Sequence, residues 1–156
     1  MTAVFDRFLD LFRDLERHDV EYILIGGLAV VLHGFPRFTE DVDLLLRPTP
    51  DNVERLKRAL TEGGWLTDSE AGEIVYTDLD EYAVIRVGTA QGFYIDIMAR
   101  VGSVAEYESV EWEEIEVEGV KIRVATAPAL LDLKKNSLRP RDQEDVLFLK
   151  RLLGKS

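Results

Sequence analysis

Ile25-Gly26-Gly27-Leu28 and, a few residues on, Arg37-Phe38-Thr39-Glu40-Asp41-Val42-Asp43-Leu44-Leu45-Leu46 decide how this chain folds. Tyr22-Ile23-Leu24-Ile25 is a short apolar run that stops at a glycine pair, so it reads as a buried strand ending in a tight turn. Residues 28–33 favour a helix, and Gly34 is placed to end it. Residues 41–47 form a second strand, closed by Pro48. Alternate side chains of a strand share a face, so Asp41 and Asp43 point one way while Val42 points into the core.

Working outward, Val4, Phe5, Phe8, Leu11, Phe12 and Leu15 give residues 3–18 one apolar helical face. A further helix is expected over 51–61, between Pro50-Asp51 and Gly63-Gly64. Residues 73–77, 82–87 and 93–98 read as three successive strands. Residues 111–117 and 120–124 flank Glu118-Gly119, a hairpin signal. Pro128 and Pro140 each open a helix carrying leucines. Early crossover helices followed by antiparallel strands predict an α/β (α+β) fold, a mixed sheet flanked by helices. Residues 1–156 are read as a single domain, with a C-terminal helical part at about 127–153 lying across the sheet as a lid or flank.

Thirty acidic and 19 basic residues leave a net charge of −11. A field of that sign argues against broad coating of nucleic acid, while leaving room for a local basic site that takes one triphosphate or one RNA end. Acidic residues crowd 68–81 and 106–118; Lys134, Lys135, Arg139 and Arg141 make the main basic cluster. The absence of cysteine excludes disulfides and thiolate metal sites. No apolar stretch reaches the roughly 18 residues of a membrane span, and no secretory signal is visible, so the expected location is cytoplasmic and no membrane partner is expected.

Two carboxylates on one strand face repel each other unless a cation lies near them, and oxygen ligands suit a hard ion such as Mg²⁺. Nucleotidyl transfer commonly uses two such ions and a third carboxylate from a neighbouring strand. Asp96, alone in the apolar run Phe93-Tyr94-Ile95-Asp96-Ile97-Met98, is the candidate. A buried carboxylate needs a partner, and Arg86 or Arg100 would serve as a purely structural one. Gly26 and Gly27 let backbone N–H groups approach a phosphate. Arg37 is placed to clamp a phosphate, and Thr39 to orient Asp41 or the turn. No Gly-x-Gly-x-x-Gly and no Walker-type Gly-Lys-Ser/Thr follows a strand, which disfavours dinucleotide and P-loop chemistry. His33 reads as structural, since no second ligand lies at metal-binding spacing.

Gly26-Gly27-Leu28-Ala29, His33-Gly34 and Arg37-Phe38-Thr39-Glu40-Asp41-Val42-Asp43-Leu44 together resemble the AbiEii-like toxin group of the DNA polymerase beta-type nucleotidyltransferases. Leu133-Lys134-Lys135 with Arg139-Pro140-Arg141-Asp142-Gln143-Glu144-Asp145-Val146 is similar to that group's C-terminal helix motif. The resemblance implies binding of a nucleoside triphosphate with Mg²⁺ or Mn²⁺, metal-ligand roles for Asp41 and Asp43, phosphate or base contacts near Lys134, and an acidic role for Asp142 or Asp145. It implies transfer of a nucleoside monophosphate to an acceptor hydroxyl on an RNA 3′ end, a protein or a small molecule, with a cognate antitoxin as a partner. The chain has Gly27 where many members of the group have serine, and a non-catalytic nucleotide-binding module or one half of a two-component pair is the alternative.

Overall fold

A computed structural model describes residues 3–81, 84–102 and 105–155. Helix α1 (Ala3–Arg17) buries Phe8, Leu11, Phe12 and Leu15, the face expected from their spacing. Strand β1 (Tyr22–Ile25) is buried along its whole length and runs directly into helix α2 (Gly26–Leu32), two residues earlier than the sequence suggested. Strand β2 (Asp41–Leu46) follows, then helix α3 (Pro50–Glu62), which Thr49 caps by accepting a hydrogen bond from the Asn52 N–H. A short helix α4 (Asp68–Ala71) leads to a 3₁₀ turn at Tyr76–Glu81.

The strand expected over 73–77 is therefore absent. Ile74 and Leu79 are buried five positions apart, and that spacing pins an irregular segment to the core rather than an alternating strand. The strand expected over 82–87 is shorter and later, β3 (Ile85–Gly88); Tyr82 and Ala83 lie outside the described residues. Strand β4 (Tyr94–Met98) agrees with its expectation. A small hairpin, β5 (Arg100–Val101) with β6 (Ala105–Glu106), was not foreseen. Strands β7 (Trp112–Val117) and β8 (Val120–Ala125) form the expected hairpin, with Glu118 and Gly119 at φ +50° and +80°. Positive φ at both turn residues is what a twisted two-residue hairpin needs.

The main sheet has the order β3-β4-β2-β1-β8-β7. It is mixed: β2 runs parallel to β4 and β1 to β8, while β1–β2, β3–β4 and β7–β8 are antiparallel. Helices α5 (Ala127–Lys134) and α6 (Pro140–Leu152) each begin at a proline-bearing first turn and pack against each other and against α2. Helix α1 packs on β8 and on α3. Among the described residues no helix is long and apolar enough to cross a membrane.

Candidate nucleotide site

The parallel pairing of β2 with β4 sets Asp43 directly beside Asp96 and Asp41 beside Tyr94. On the far side of β4, antiparallel β3 sets Arg86 opposite Asp96. The apolar neighbours Val42, Leu44, Ile95 and Ile97 are wholly buried, so the two strands are fixed in register by their core face and the aspartates are carried to the other. Asp41, Asp43 and Asp96 all line one cleft of about 580 Å³.

Their environments differ. Asp41 is partly exposed and accepts a hydrogen bond from Arg86 Nη2 at 2.9 Å. Thr39 Oγ1 donates to the Asp41 carbonyl at 3.2 Å and accepts from its N–H at 3.4 Å, holding the turn into β2. Asp96 is 9% exposed, and its Oδ1 makes no hydrogen bond among the described residues. The Asp43 carboxyl is pushed up to about 7, first by burial, then by its hydrogen-bonding contact and charge repulsion with Asp96, and further by Asp41; Lys134 pulls the other way.

The glycine pair serves this arrangement in two ways. Gly26 has φ +75°, and a Cβ built on it would fall on the Asp43 carboxylate. A Cβ at Gly27 would sit 2.8 Å from Arg37 Nη1, so the guanidinium occupies the space of a residue-27 side chain. Gly26 is held to glycine by its positive φ and by the Asp43 carboxylate, whereas a side chain at position 27 would have to displace only the end of the Arg37 side chain.

Opposite the sheet, an alternating chain of charges ties the loop before β2 to α5 and α6. Arg37 Nη1 lies 2.7 Å from Asp145 Oδ2, and Lys134 Nζ lies 3.0 Å from the same oxygen. Lys134 also donates to Asp142 Oδ1 at 2.8 Å, and Asp142 Oδ2 accepts from Arg139 and Ser137. Burial pushes the Asp142 carboxyl up, but the hydrogen bonds from Lys134, Arg139 and Ser137 outweigh it and hold it well below the usual carboxylate range. Asp145 is fully buried and does not line the cleft, whereas Arg37, Lys134, Arg139 and Asp142 do. Asp142 and Asp145 accordingly face cations of their own chain.

Arg141, in the first turn of α6, was not singled out as a site residue. It lines the cleft, is exposed, and makes no ion pair among the described residues. A cation in a helix's first turn is disfavoured by the helix dipole, so nothing in the fold itself rewards it there. His33 Nε2 donates to the Ala125 carbonyl, 2.9 Å away, tying the end of α2 to the end of β8.

Hard oxygen donors dominate the aspartate face, and the orphaned Asp96 Oδ1 beside a repelled Asp43 is what a divalent cation would relieve; the donor set fits one. The donors are not yet gathered: among the described residues no group of three or more His, Cys, Asp or Glu is arranged to hold a metal ion. Arg86 draws the Asp41 carboxylate to itself.

Three solved structures share the fold at low sequence identity. The lincosamide antibiotic adenylyltransferase LnuA, bound to lincomycin, superposes with a TM-score of 0.64 at 18% identity, covering 96% of each chain. An antigenic nucleotidyltransferase-like protein from Paracoccidioides brasiliensis gives 0.61 at 15% identity, over 97% of this chain and 77% of that one. ANT(2")-Ia, in complex with adenylyl-2"-tobramycin, gives 0.58 at 13% identity, over 98% and 91%. Among curated proteins none is significantly similar in sequence. Residues 8–154 match the family model described as "Nucleotidyl transferase AbiEii toxin, Type IV TA system", and the chain belongs to that family of nucleotidyltransferases.

Proposed function

We propose that the cleft binds a nucleoside triphosphate and transfers its nucleoside monophosphate to an acceptor hydroxyl, with Asp41, Asp43 and Asp96 holding Mg²⁺ or Mn²⁺. The observation that carries this reading is the facing of two rows across one cleft: carboxylates on β2 and β4, and cations from the β1–β2 connection, α5 and α6. Bound there, a divalent ion polarises the α-phosphate and stabilises the charge of the departing pyrophosphate.

The chain's own residues supply the rest. Arg37, Lys134 and Arg139, fixed in place by Asp142 and Asp145, present a pre-set row of cations to the triphosphate. Arg141 adds a cation that no carboxylate among the described residues claims. Gly26 and Gly27 leave room at the floor of the cleft for the Asp43 carboxylate and the Arg37 guanidinium, and Thr39 steadies the backbone that carries Asp41. The acceptor oxygen attacks the α-phosphorus, the bond from that phosphorus to the β-bridging oxygen breaks, and pyrophosphate leaves. Asp96, with one oxygen unclaimed, takes the acceptor's proton.

The adenylyl transfer of LnuA and the adenylyl-2"-tobramycin bound to ANT(2")-Ia support ATP as the first donor to test, and lincomycin and tobramycin support a small hydroxyl compound as acceptor alongside an RNA 3′ end or a protein. The family description supports a cognate antitoxin as partner. The test is incubation with each α-labelled triphosphate and Mg²⁺ or Mn²⁺, against RNA, protein and small-molecule acceptors. Label should move to one acceptor class and should stay on the triphosphate with Asp41→Asn or Asp43→Asn. Transfer that survives both substitutions defeats the reading.

A further inference from the structure

The aspartate face is already partly neutralised from within. Arg86 reaches from edge strand β3 across Asp96, its register partner, placing Nη2 2.9 Å from Asp41 Oδ1 and Nε 3.8 Å from Asp96 Oδ1. The second separation is attraction without a hydrogen bond, consistent with the unpartnered Asp96 oxygen. The guanidinium carbon lies 4.2 Å from the centroid of the Tyr94 ring. The side chain is half exposed, and among the described residues its one hydrogen bond is that to Asp41.

We propose that Arg86 is a displaceable counter-cation that occupies the place between Asp41 and Asp96 which a divalent ion needs, so that the ion enters together with the nucleotide and not before it. This rests on the reading above of the aspartates as ion ligands. Three arguments carry it. Asp41 has Arg86 as its sole ion-pair partner among the described residues, so any ion coordinated by Asp41 competes with the guanidinium directly. An arginine does not step aside by losing its proton; it stays charged and has to move. Finally, the triphosphate brings phosphate oxygens to which a guanidinium forks readily, so the nucleotide gives Arg86 somewhere to go. The edge-strand position and the partial exposure leave that swing open, and the Tyr94 ring offers a surface for it. The diverted Asp41 carboxylate also explains why the three donors lie side by side without forming a ready-made ion cage.

The test is Mn²⁺ binding to the full chain, followed by calorimetry and by loss of the free-ion electron paramagnetic resonance signal, with and without a non-hydrolysable triphosphate. Wild type is compared with Arg86→Met and Arg86→Gln, each first checked for a native thermal transition. Without nucleotide, both variants should bind Mn²⁺ about two- to fivefold more tightly than wild type, because an ion pair at a half-exposed site is worth about that much. With nucleotide the gap should close, wild type gaining the more. If wild type binds Mn²⁺ with nucleotide and the variants bind the bare ion no better than wild type, the counter-cation proposal is wrong while the metal reading stands. If no form binds Mn²⁺ with or without nucleotide, the metal reading goes, and this proposal with it.

Discussion

Replacing Asp43 with asparagine should make the ligand-free protein more stable, and increasingly so as the pH rises. The Asp43 carboxyl titrates near 7 in the folded protein against an ordinary 3.8, mainly because it is buried and then because Asp96 and Asp41 stand beside it. Between those two values the folded state holds a proton that the unfolded state has lost, so wild-type stability falls as the pH climbs through this window. Above it the loss is complete. Three units at 1.4 kcal/mol each make it about 4 kcal/mol. Asparagine has the shape of the protonated carboxyl and keeps a donor toward Asp96, but never ionises. Its advantage over wild type should therefore grow by about 2 kcal/mol between pH 5.5 and pH 8.5, the remainder having accumulated below that interval. For a chain of this size that growth is about 4–8 °C in Tm. Thermal unfolding of both proteins across this range, followed by circular dichroism, reads it: groups remote from Asp43 cancel in the difference, and the titration that remains is that of Asp43 together with the Asp96 and Asp41 carboxyls beside it. A stability difference that stays constant with pH, or an Asp43→Asn protein that is less stable at pH 8.5, would refute the reasoning. The same substitution should abolish transfer, so stability and activity move in opposite directions.

Gly26→Ala combines a positive φ with a Cβ on the Asp43 carboxylate, and should cost at least about 1–2 kcal/mol in denaturant unfolding while weakening nucleotide binding. Asp145→Ala leaves Arg37 and Lys134 without the buried carboxylate they share; urea unfolding should show a loss of about 3–5 kcal/mol. Arg141→Ala breaks no ion pair among the described residues, so its stability should stay within about 0.5 kcal/mol of wild type. Its Kd for a triphosphate, measured by calorimetry, should nevertheless rise by about tenfold if one charge-assisted contact is lost.

The fold was legible where the period of apolar residues was clean. Strands β1, β2 and β4 are short apolar runs with hard boundaries, and Glu118-Gly119 carries its own turn geometry. The failure at 73–77 has a physical cause: Ile74 and Leu79 face the core at a spacing that fits neither period well, so only the tertiary packing decides their conformation. At the site, alternation along β2 put Asp41 and Asp43 on one face, and the register with β4 then brought Asp96 beside Asp43. What local sequence did not reveal were the partners. Arg37 and Asp145 are 108 residues apart, and the resemblance assigns Lys134 and Asp142 to a nucleotide, with nothing in the local sequence to pair them with each other. Arg86 was weighed only as a structural partner for Asp96, yet its hydrogen bond goes to Asp41, a strand away. Arg141 was hidden because Glu144 and Asp145, three and four residues on, are ordinary helix partners for it in sequence, and only the packing gives Asp145 to Arg37 and Lys134 instead.

The proposed transfer requires Asp41, Asp43 and Asp96 to grip one divalent ion against a triphosphate. A crystal structure grown with Mn²⁺ and a non-hydrolysable triphosphate, phased to show the manganese anomalous signal, tests that most directly. The signal should lie among the three carboxylates, with Arg86 swung away from Asp41 and the phosphates facing Arg37, Lys134 and Arg141. A triphosphate bound elsewhere, or one seated in the cleft with no manganese at the aspartates and the Arg86–Asp41 contact intact, would contradict it.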